Sequence, residues 1–372
     1  MRIKNILSCR ANIIGMLVCC LFLNTVLVEG QDATNPVMEY RTTDGQYKAV
    51  KTKKDWKLKK KQVLEGMQEV MGPLPAKPSW VPTVVFKDTL DTDFYTRYSI
   101  VLTVEKDEMV PALLYLPKSN TSSSRKHPAA LVLHGTGDKG KYLVDSFNAK
   151  PNRAIATELV HRGYVVLAPD YPSFGDLSDH DFSKDRYVSG TMKGIFNHIR
   201  CIDYLQSRKD VYKNRIGVIG HSLGGHNAIF VSAFDERAKV VVSSCGWTLM
   251  QYYNAGAEVT QRYGGKLGAW AQDRYMPYVR DRYQLDPAQL PFDFNGIIAT
   301  LAPRYFFSNS PLKDANFDVN GVRKGIQQIA AAYQLFKVPG HLKAVHPDAS
   351  HDFPAEAKKK AYEFMDEVLK PH

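Results

Sequence analysis

The chain from residue 128 onward alternates short apolar runs with longer amphipathic segments, and this alternation limits the fold more than any other feature. The apolar runs predict buried strands, and the segments with apolar residues at helical spacing predict helices that cover them. Such an alternation is typical of an α/β fold, a mostly parallel sheet with helices on both faces. The predicted strands are 129–134, 164–169, 215–220, 239–244, 304–308 and 342–345, and the predicted helices are 153–162, 191–208, 223–234, 321–336 and 355–369.

Other parts of the chain complete this domain. Residues 98–104 and 110–116 predict an antiparallel pair of strands at the leading edge of the sheet, followed by a polar surface loop over 118–126. Residues 83–372 are therefore expected to form one domain. The irregular segment 247–294 is rich in Trp and Tyr, and a loop of that length in a compact domain is usually functional or folded. We predict that it forms a cap over the active site.

Residues 1–30 have the pattern of a signal peptide. Arg2, Lys4 and Arg10 supply positive charge ahead of an apolar run over residues 11–28, and the small residue Gly30 suits a cleavage site. Because the run is nearly long enough to span a bilayer, a membrane anchor through an uncleaved segment is the alternative. We expect a secreted or periplasmic protein with no stable membrane insertion after the leader is cleaved.

Residues 31–82 are predicted to form an N-terminal extension with a basic helix. The part up to residue 47 is polar and aperiodic, which predicts a loose arm. Lysines between residues 48 and 61 then run into apolar residues at helical spacing, and Gly72 and Pro73 end the predicted helix. The lysines and the net charge of +11 are compatible with binding to an anionic polymer, but such a run usually keeps a helix soluble. Without a nucleic-acid-binding motif, nucleic acid is not an expected partner.

The five cysteines do not build a disulfide framework. Three of them lie within residues 1–30 and would leave with the leader, so that the mature chain keeps Cys201 and Cys245. Two cysteines in an exported protein either form one bridge or stay buried as free thiols. The sequence leaves both alternatives open.

The sequence G-H-S-L-G at residues 220–224 follows a predicted strand and precedes a predicted helix. In that context G-x-S-x-G is the pattern of a nucleophile on a sharp strand-to-helix turn, where small flanking residues let the backbones pass. The turn lifts the hydroxyl of Ser222 above the sheet edge and points the backbone N–H of Leu223 towards a developing oxyanion. We predict Ser222 as the nucleophile; a glycine-rich turn with a bystander serine is the simpler alternative.

A second turn with the sequence H-G-T-G, at residues 134–137, also follows a predicted strand. A backbone N–H from this loop, that of Thr136, is expected to supply a second donor to the oxyanion. Thr136 and Leu223 are therefore the predicted oxyanion-hole residues. Each such donor typically lowers the barrier by ~2.7–4 kcal/mol.

A serine nucleophile needs a general base, and the base needs an acid to orient it. When the serine stands on such a turn, the acid and then the histidine follow it in the chain. His351 lies in the loop between the last predicted strand and the last predicted helix, from which it can reach the serine. Asp314 follows strand 304–308 and is the preferred acid, with Asp318 as its rival.

These motifs carry a family resemblance. The segments G-H-S-L-G-G at 220–225, H-G-T-G at 134–137, A-P-D-Y-P at 168–172 and S-H-D-F-P at 350–354 resemble the secreted dienelactone-hydrolase and acetyl-xylan-esterase-like branch of the α/β-hydrolases. The resemblance spans residues 67–372 and implies an α/β-hydrolase fold with Ser222, Asp314 and His351 as a catalytic triad. Dienelactone hydrolases use a cysteine nucleophile, whereas this chain has a serine there, so dienelactone is not the expected substrate.

Together, the residues and the resemblance predict a secreted serine hydrolase that cleaves carboxylic esters through an acyl-enzyme intermediate. A small-molecule or carbohydrate ester, such as an acetyl ester, is the expected substrate, and neither a cofactor nor a metal is required. One alternative is a serine peptidase of the prolyl-oligopeptidase type, although the residues ahead of the core are too few for its usual propeller. The other is a catalytically silent binding protein on the same scaffold, which would not need all three triad residues. The sequence does not indicate the oligomeric state.

Overall fold

A nine-stranded mixed sheet runs through the structure, a computed structural model that describes residues 35–118 and 126–371. The strands are β1 (Glu39–Arg41), β2 (Tyr47–Ala49), β3 (Thr83–Asp91), β4 (Tyr95–Glu105), β5 (Glu108–Pro117), β6 (His127–Leu133), β7 (Val165–Pro169), β8 (Val211–His221), β9 (Ala238–Ser244), β10 (Tyr305–Asn309) and β11 (Leu342–Val345). The helices are α1 (Lys53–Met71), α2 (Ile155–His161), α3 (Gly190–Ser207), α4 (Leu223–Phe234), α5 (Ala257–Arg262), α6 (Tyr278–Asp281), α7 (Phe294–Ala299), α8 (Val319–Leu335) and α9 (Ala355–Leu369). The strands and helices predicted from residue 128 onward are confirmed, with shifts of a few residues at their ends.

The order of the strands in the large sheet is β11-β10-β9-β8-β6-β7-β5-β4-β3. The six strands from β6 to β11 lie in parallel pairs, whereas β5 pairs antiparallel with both β7 and β4, and β4 pairs antiparallel with β3. Parallel neighbours need crossover connections, which explains the strand–helix alternation of the sequence. As a result, the loops that follow β6, β8, β9, β10 and β11 meet at one edge of the sheet.

Helices cover both faces of this sheet. Successive residues of a strand point to opposite faces, so each central strand contributes to two separate cores. In β6, Leu131 belongs to the core that includes α3, α4 and α8, whereas Val132 belongs to the core that includes α2 and α9. The prediction of an α/β fold with a mostly parallel sheet between two helix layers is therefore confirmed.

The N-terminal extension contains more regular structure than the sequence indicated. The expected loose arm over residues 31–47 is wrong for its described part, because β1 and β2 pair as a two-stranded antiparallel sheet. The backbone N–H of Arg41 also donates to the Gln62 side chain, which ties β1 to α1 at 2.9 Å. The basic helix α1 ends at Gly72, as predicted, and most of its lysines are exposed.

Residues 247–294 fold into short helical pieces between β9 and α7. They comprise α5, α6 and three single 3₁₀ turns, Met250–Tyr252, Gly268–Ala271 and Pro287–Gln289. The segment begins in the main core, where the buried Trp247 indole donates a hydrogen bond to the Ser308 hydroxyl at 2.9 Å. Trp270, Phe292 and Phe294 belong to the same core, whereas Tyr253 and Tyr275 are only partly buried.

Two predictions fall outside the described residues: the signal peptide over residues 1–30 and most of the surface loop over 118–126. The described residues of the ranges 35–118 and 126–371 belong to one compact unit. Within the described ranges 35–118 and 126–371, none of the helices combines the length and apolar content that crossing a bilayer requires.

Candidate active site

Ser222 lies at the junction of β8 and α4. Its φ is 56° and its ψ is −119°, a conformation that costs a non-glycine residue of order 1–3 kcal/mol. Two backbone hydrogen bonds hold it there: the Ser222 amide donates to the Ser244 carbonyl, and the Gly225 amide donates to the Ser222 carbonyl, both at 2.8 Å. The serine therefore stands on a fixed, sharply bent turn at the edge where the strand ends meet.

Two glycines make this turn sterically feasible. A Cβ at Gly224 would lie 1.9 Å from the carbonyl oxygen of Leu133, and a Cβ at Gly220 would lie 2.2 Å from the carbonyl oxygen of Gly224. Both distances are far shorter than a van der Waals contact, so no side chain fits at either position. The start of α4 can approach the ends of β6 and β8 this closely only because glycines occupy both positions.

The loops after β10 and β11 bring Asp314 and His351 together. The Asp314 carboxylate accepts a hydrogen bond from His351 Nδ1 at 2.9 Å, and the backbone amides of Asn316 and Phe317 donate to its other oxygen at 2.9 and 3.1 Å. Burial of the carboxyl opposes ionisation, but these hydrogen bonds and the imidazole outweigh burial and hold the pKa of Asp314 below its ordinary value. Asp314 is thus an anionic group that fixes one nitrogen of His351.

The rival acid Asp318 has another role in the structure. It is the N-cap of α8, where its carboxylate accepts the backbone N–H of Asn320 at 2.7 Å. The other histidines near the last strand are also engaged elsewhere. His341 stacks on Tyr305 with 3.7 Å between ring centroids, and His346 contacts the Ser310 carbonyl through Nδ1 at 2.9 Å.

The His351 ring is held between two other rings. Phe317 lies on one side with its centroid 5.9 Å away and its plane tilted by 20°, and His221 contacts it edge-on at 4.9 Å. His221 is buried and its Nδ1 lies 2.9 Å from the Ser244 hydroxyl. Burial, followed by the positive charge of Arg153, lowers the pKa of His221 well below its ordinary value. His221 is consequently a neutral group that supports the His351 ring without competing for its proton.

The two predicted oxyanion-hole residues face the same cavity as Ser222 and His351. Leu223 is the first residue of α4, so its backbone N–H has no acceptor within the helix. Amides at a helix N-terminus also carry a partial positive charge that favours an anion. Thr136, in the turn after β6, also lines this cavity and is exposed. Four of the five predicted site residues thus line one cavity, and the fifth, Asp314, is hydrogen-bonded to His351 behind it.

That cavity has a volume of about 240 Å³ and a wall that is partly aromatic. Tyr253, Trp270 and Tyr275, all from the segment 247–294, form much of it. Trp270 packs against Phe317 with 6.4 Å between ring centroids, which joins this segment to the loop that carries Asp314. The segment predicted as a cap therefore supplies a wall of the site.

Sequence reasoning missed one buried polar residue of the cavity. His226 lies four residues after Ser222, one turn further along α4, and its ring packs on Trp270 with 4.6 Å between centroids. Burial lowers the pKa of His226 to about 3, although the Gly246 backbone opposes this in part. The one-turn spacing from the serine was the available signal, because residues four apart share a helix face.

Cys245 is a third polar group beside Asp314 and His351. Its sulfur, the aspartate carboxylate and the imidazole lie within 4.8 Å of one another, a set of atom types that could hold a metal ion. Burial and the neighbouring Asp314 raise the pKa of the Cys245 thiol well above its ordinary value, whereas a metal ligand must be a thiolate. The set therefore fits a hydrogen-bonded arrangement better than a metal centre. Cys201 and Cys245 are both buried and free, so they do not pair.

Comparisons with known proteins agree with this architecture. The sequence profile of the α/β hydrolase family matches residues 130–362, which is more than half of the chain. The protein YtaP of Bacillus subtilis (strain 168), named as a hydrolase, is 28% identical over 311 residues, which cover 81% of this chain and 96% of YtaP. The carbohydrate esterase MZ0003 from an unknown prokaryotic organism is 26% identical over 210 residues, covering 54% of this chain and 46% of that protein. A glucuronoyl esterase from Solibacter usitatus has the same fold, with a TM-score of 0.66 and 18% identity over 90% of this chain and 97% of its own.

Proposed function

The chain belongs to the α/β hydrolase family, and we propose that it is an exported serine esterase that cleaves carboxylic esters. In this proposal Ser222 is the nucleophile, His351 is the general base and Asp314 orients it, while the amides of Thr136 and Leu223 hold the oxyanion. One observation carries the proposal: a serine at φ 56° on a strand-to-helix turn opens onto the same cavity as a histidine that is hydrogen-bonded to a buried aspartate. Strain of this kind persists where the surrounding structure fixes it, and it clusters at reactive sites.

The first half of the reaction forms an acyl-enzyme. His351 Nε2 takes the proton of the Ser222 hydroxyl as the oxygen attacks the ester carbonyl, and the carbonyl oxygen becomes an oxyanion. The imidazolium that forms is stabilised by the Asp314 carboxylate at Nδ1. His351 then gives its proton to the leaving alcohol as the C–O bond breaks.

The second half regenerates the enzyme. A water molecule loses a proton to His351 and attacks the acyl carbonyl, and the new tetrahedral intermediate is held by the same two amides. His351 returns the proton to the Ser222 oxygen as the acid leaves. The low pKa of Asp314 keeps it anionic through both halves, so it orients the imidazole without taking its proton.

The cavity wall supports a small neutral ester as the substrate. Among the described residues that line it, none is a lysine, arginine, aspartate or glutamate. The partly exposed side chains of Tyr253 and Tyr275 offer ring surface on which a sugar can pack. MZ0003, a relative in sequence, is named a carbohydrate esterase. We therefore propose acetyl or other small acyl esters of carbohydrates as the substrate class.

The domain organisation and the export route belong to the same proposal. Residues 1–30 act as a cleaved leader, residues 31–82 form an extension that packs on the core, and residues 83–372 form the hydrolase domain. The segment 247–294 acts as the cap. What supports the last point is the position of Tyr253, Trp270 and Tyr275 on the cavity wall.

The decisive experiment compares the mature chain with its Ser222→Ala variant on aryl acetate, longer acyl esters, acetylated xylan and an X-Pro peptide amide. We expect the substitution to reduce ester turnover by at least ~10³-fold, since removal of a nucleophile leaves only binding and the oxyanion hole. Ser207→Ala serves as a control, because this hydroxyl only bonds the Tyr204 carbonyl at the end of α3. Activity that survives Ser222→Ala would disprove the mechanism, and amide turnover without ester turnover would assign the chain to the peptidases.

A further inference from the structure

The loop that carries His351 is anchored at its start to the loop that carries Asp314. The backbone amide of Leu312 donates to the Pro347 carbonyl at 2.9 Å, and that of Lys313 donates to the Ala349 carbonyl at 3.0 Å. These bonds fix the first part of the loop after β11. They do not reach the peptide unit of His351 itself.

The peptide unit of His351 is held by Asn152 and Arg153, which precede α2. Arg153 Nη2 donates to the carbonyl oxygen of His351 at 2.8 Å, and Arg153 Nη1 pairs with the carboxylate of Asp352. Asn152 Nδ2 donates to the other carboxylate oxygen of Asp352 at 2.8 Å. One guanidinium therefore binds both the backbone carbonyl of His351 and the carboxylate of Asp352. These two contacts fix two points of the loop.

The next peptide unit, between residues 352 and 353, is held by residues at the ends of β9 and β10. The carbonyl oxygen of Asp352 accepts hydrogen bonds from Asn309 Nδ2 at 2.9 Å and from the Cys245 thiol at 3.2 Å. Asn309 ends β10 and Cys245 follows β9, so both donors stand on the sheet edge. The residues 351–352 thus lie between the rigid sheet and the Arg153 side chain.

We propose that Arg153 and Asp352 are positioning residues for catalysis, which hold the imidazole of His351 at the place from which it can serve Ser222. The inference rests on the proposed function. Arg153 is not among the residues that line the cavity, and in this proposal it acts through the backbone of the base. A displacement of about 1 Å in a catalytic group can reduce the rate ~10²-fold even when the fold is intact.

The charge state of Asp352 suits this role. Burial alone would favour the neutral acid, but Arg153 and Asn152 outweigh burial and hold the pKa of Asp352 below its ordinary value. The pair therefore remains ionic at neutral pH. Its exposed fractions, 19% for Arg153 and 28% for Asp352, leave it partly solvated, so its effect on global stability is expected to be small.

A matched pair exists elsewhere in the fold. Arg162 at the end of α2 pairs with Asp366 of α9, with exposed fractions of 34% and 20%, and contacts none of the proposed catalytic residues. Like Arg153, it joins distant parts of the chain through one guanidinium. Arg162→Ala is therefore the control for the general effect of breaking such a pair.

The test measures kcat and KM of mature Arg153→Ala, Arg153→Lys, Asp352→Asn and Arg162→Ala on aryl acetate, together with thermal unfolding. We expect Arg153→Ala to lower kcat by ~10- to 100-fold with KM changed less than threefold, since only the base is misplaced. Arg153→Lys should recover part of the loss, because it keeps the ion pair but not the second bond. Millimolar guanidinium should raise the activity of Arg153→Ala at least threefold, whereas potassium at equal ionic strength should not.

The outcomes separate this inference from the proposed function. If the wild-type chain has no esterase activity that depends on Ser222, the proposed function fails. If wild-type activity depends on Ser222 but Arg153→Ala keeps its kcat within twofold, only the positioning inference is wrong. Equal losses of kcat in Arg153→Ala and Arg162→Ala, or a loss that guanidinium does not restore, would likewise overturn it in favour of a structural role.

Discussion

At the scale of single residues, the contrast between Asp314 and Asp318 decides the chemistry. The two carboxylates lie four positions apart in one loop, yet one is hydrogen-bonded to an imidazole and the other caps a helix. Both accept backbone amides, so local hydrogen bonding alone does not distinguish them. The two carboxylates are distinguished by the direction in which their side chains point, and only the folded loop determines that direction.

Replacing Asp314 by asparagine should remove most of the activity. The amide cannot stabilise an imidazolium, and it favours the wrong tautomer of His351, so we expect kcat to fall by ~10²–10⁴-fold. The 2.9 Å hydrogen bond to Nδ1 is the contact at issue. The measurement is kcat on aryl acetate near neutral pH.

Asp318→Asn is the matched control for that substitution. Asparagine is as good an N-cap as aspartate, so α8 should keep its start and kcat should stay within about twofold of wild type. The reverse pattern, with activity lost in Asp318→Asn and kept in Asp314→Asn, would show that the acid is wrongly assigned.

At the scale of elements, the crossing of α4 over the end of β6 depends on a missing side chain. Gly224→Ala would place a methyl group 1.9 Å from the Leu133 carbonyl oxygen, and backbone atoms on both sides cannot give way cheaply. We expect a loss of at least ~3 kcal/mol in the free energy of unfolding, or failure to fold, because overpacking of this severity moves whole elements. Urea denaturation measures the loss.

Gly340→Ala is the control for Gly224→Ala, because no neighbouring atoms crowd the position of Gly340. A Cβ there meets nothing within 4 Å, so we expect a change within about 0.5 kcal/mol of wild type. Similar losses in the two variants would mean that glycine at position 224 is not required by the contact between α4 and β6.

The elements could be predicted from the sequence to the extent that burial leaves a local pattern. The central parts of β6, β7, β8 and β9 are apolar because helices cover both of their faces, and the helices between them show one apolar face. The pairing of β1 with β2 was missed, since a three-residue strand is too short to show alternation. Chain order was enough to select Ser222, Asp314 and His351 as candidates.

Contacts between distant parts of the chain could not be predicted. Arg153 and His351 are 198 residues apart, and nothing near either residue signals the other. The same holds for Phe317 against the His351 ring and for Trp270 against His226. These contacts depend on side-chain directions in the folded state, whereas periodicity and motif spacing report only local structure.

At the scale of the whole molecule, four buried histidines make stability depend on pH. Burial lowers the pKa of all four, to about 3 for two of them; they are His134, His198, His221 and His226. The unfolded chain binds protons at these side chains near pH 6.5, whereas the folded chain does not. Stability is therefore fully present above pH 6.5 and falls as the pH decreases towards the folded pKa values, by about 1.4 kcal/mol per pH unit for each proton.

This prediction is checked by urea denaturation between pH 4.5 and 8. We expect a steep decrease in the free energy of unfolding below about pH 6.5, opposed only in part by Asp293, whose pKa burial raises to about 6. His198→Leu removes one of the four histidines at a position that does not line the cavity, and should lower the slope by about one proton. A flat profile across this range would contradict the assignment of four buried neutral imidazoles.

The proposed catalytic residues and the aromatic residues of the cavity wall come from different parts of the chain, and this separation affects how substrate specificity can evolve. The residues proposed for bond making and breaking stand on the turn and loops that follow β8, β10 and β11, whereas Tyr253, Trp270 and Tyr275 come from one inserted stretch between β9 and α7. Selection can therefore remodel that stretch, by length or by sequence, without altering the register of any strand in the sheet. Related enzymes with this architecture can therefore differ in the ester they prefer while they keep the same catalytic residues.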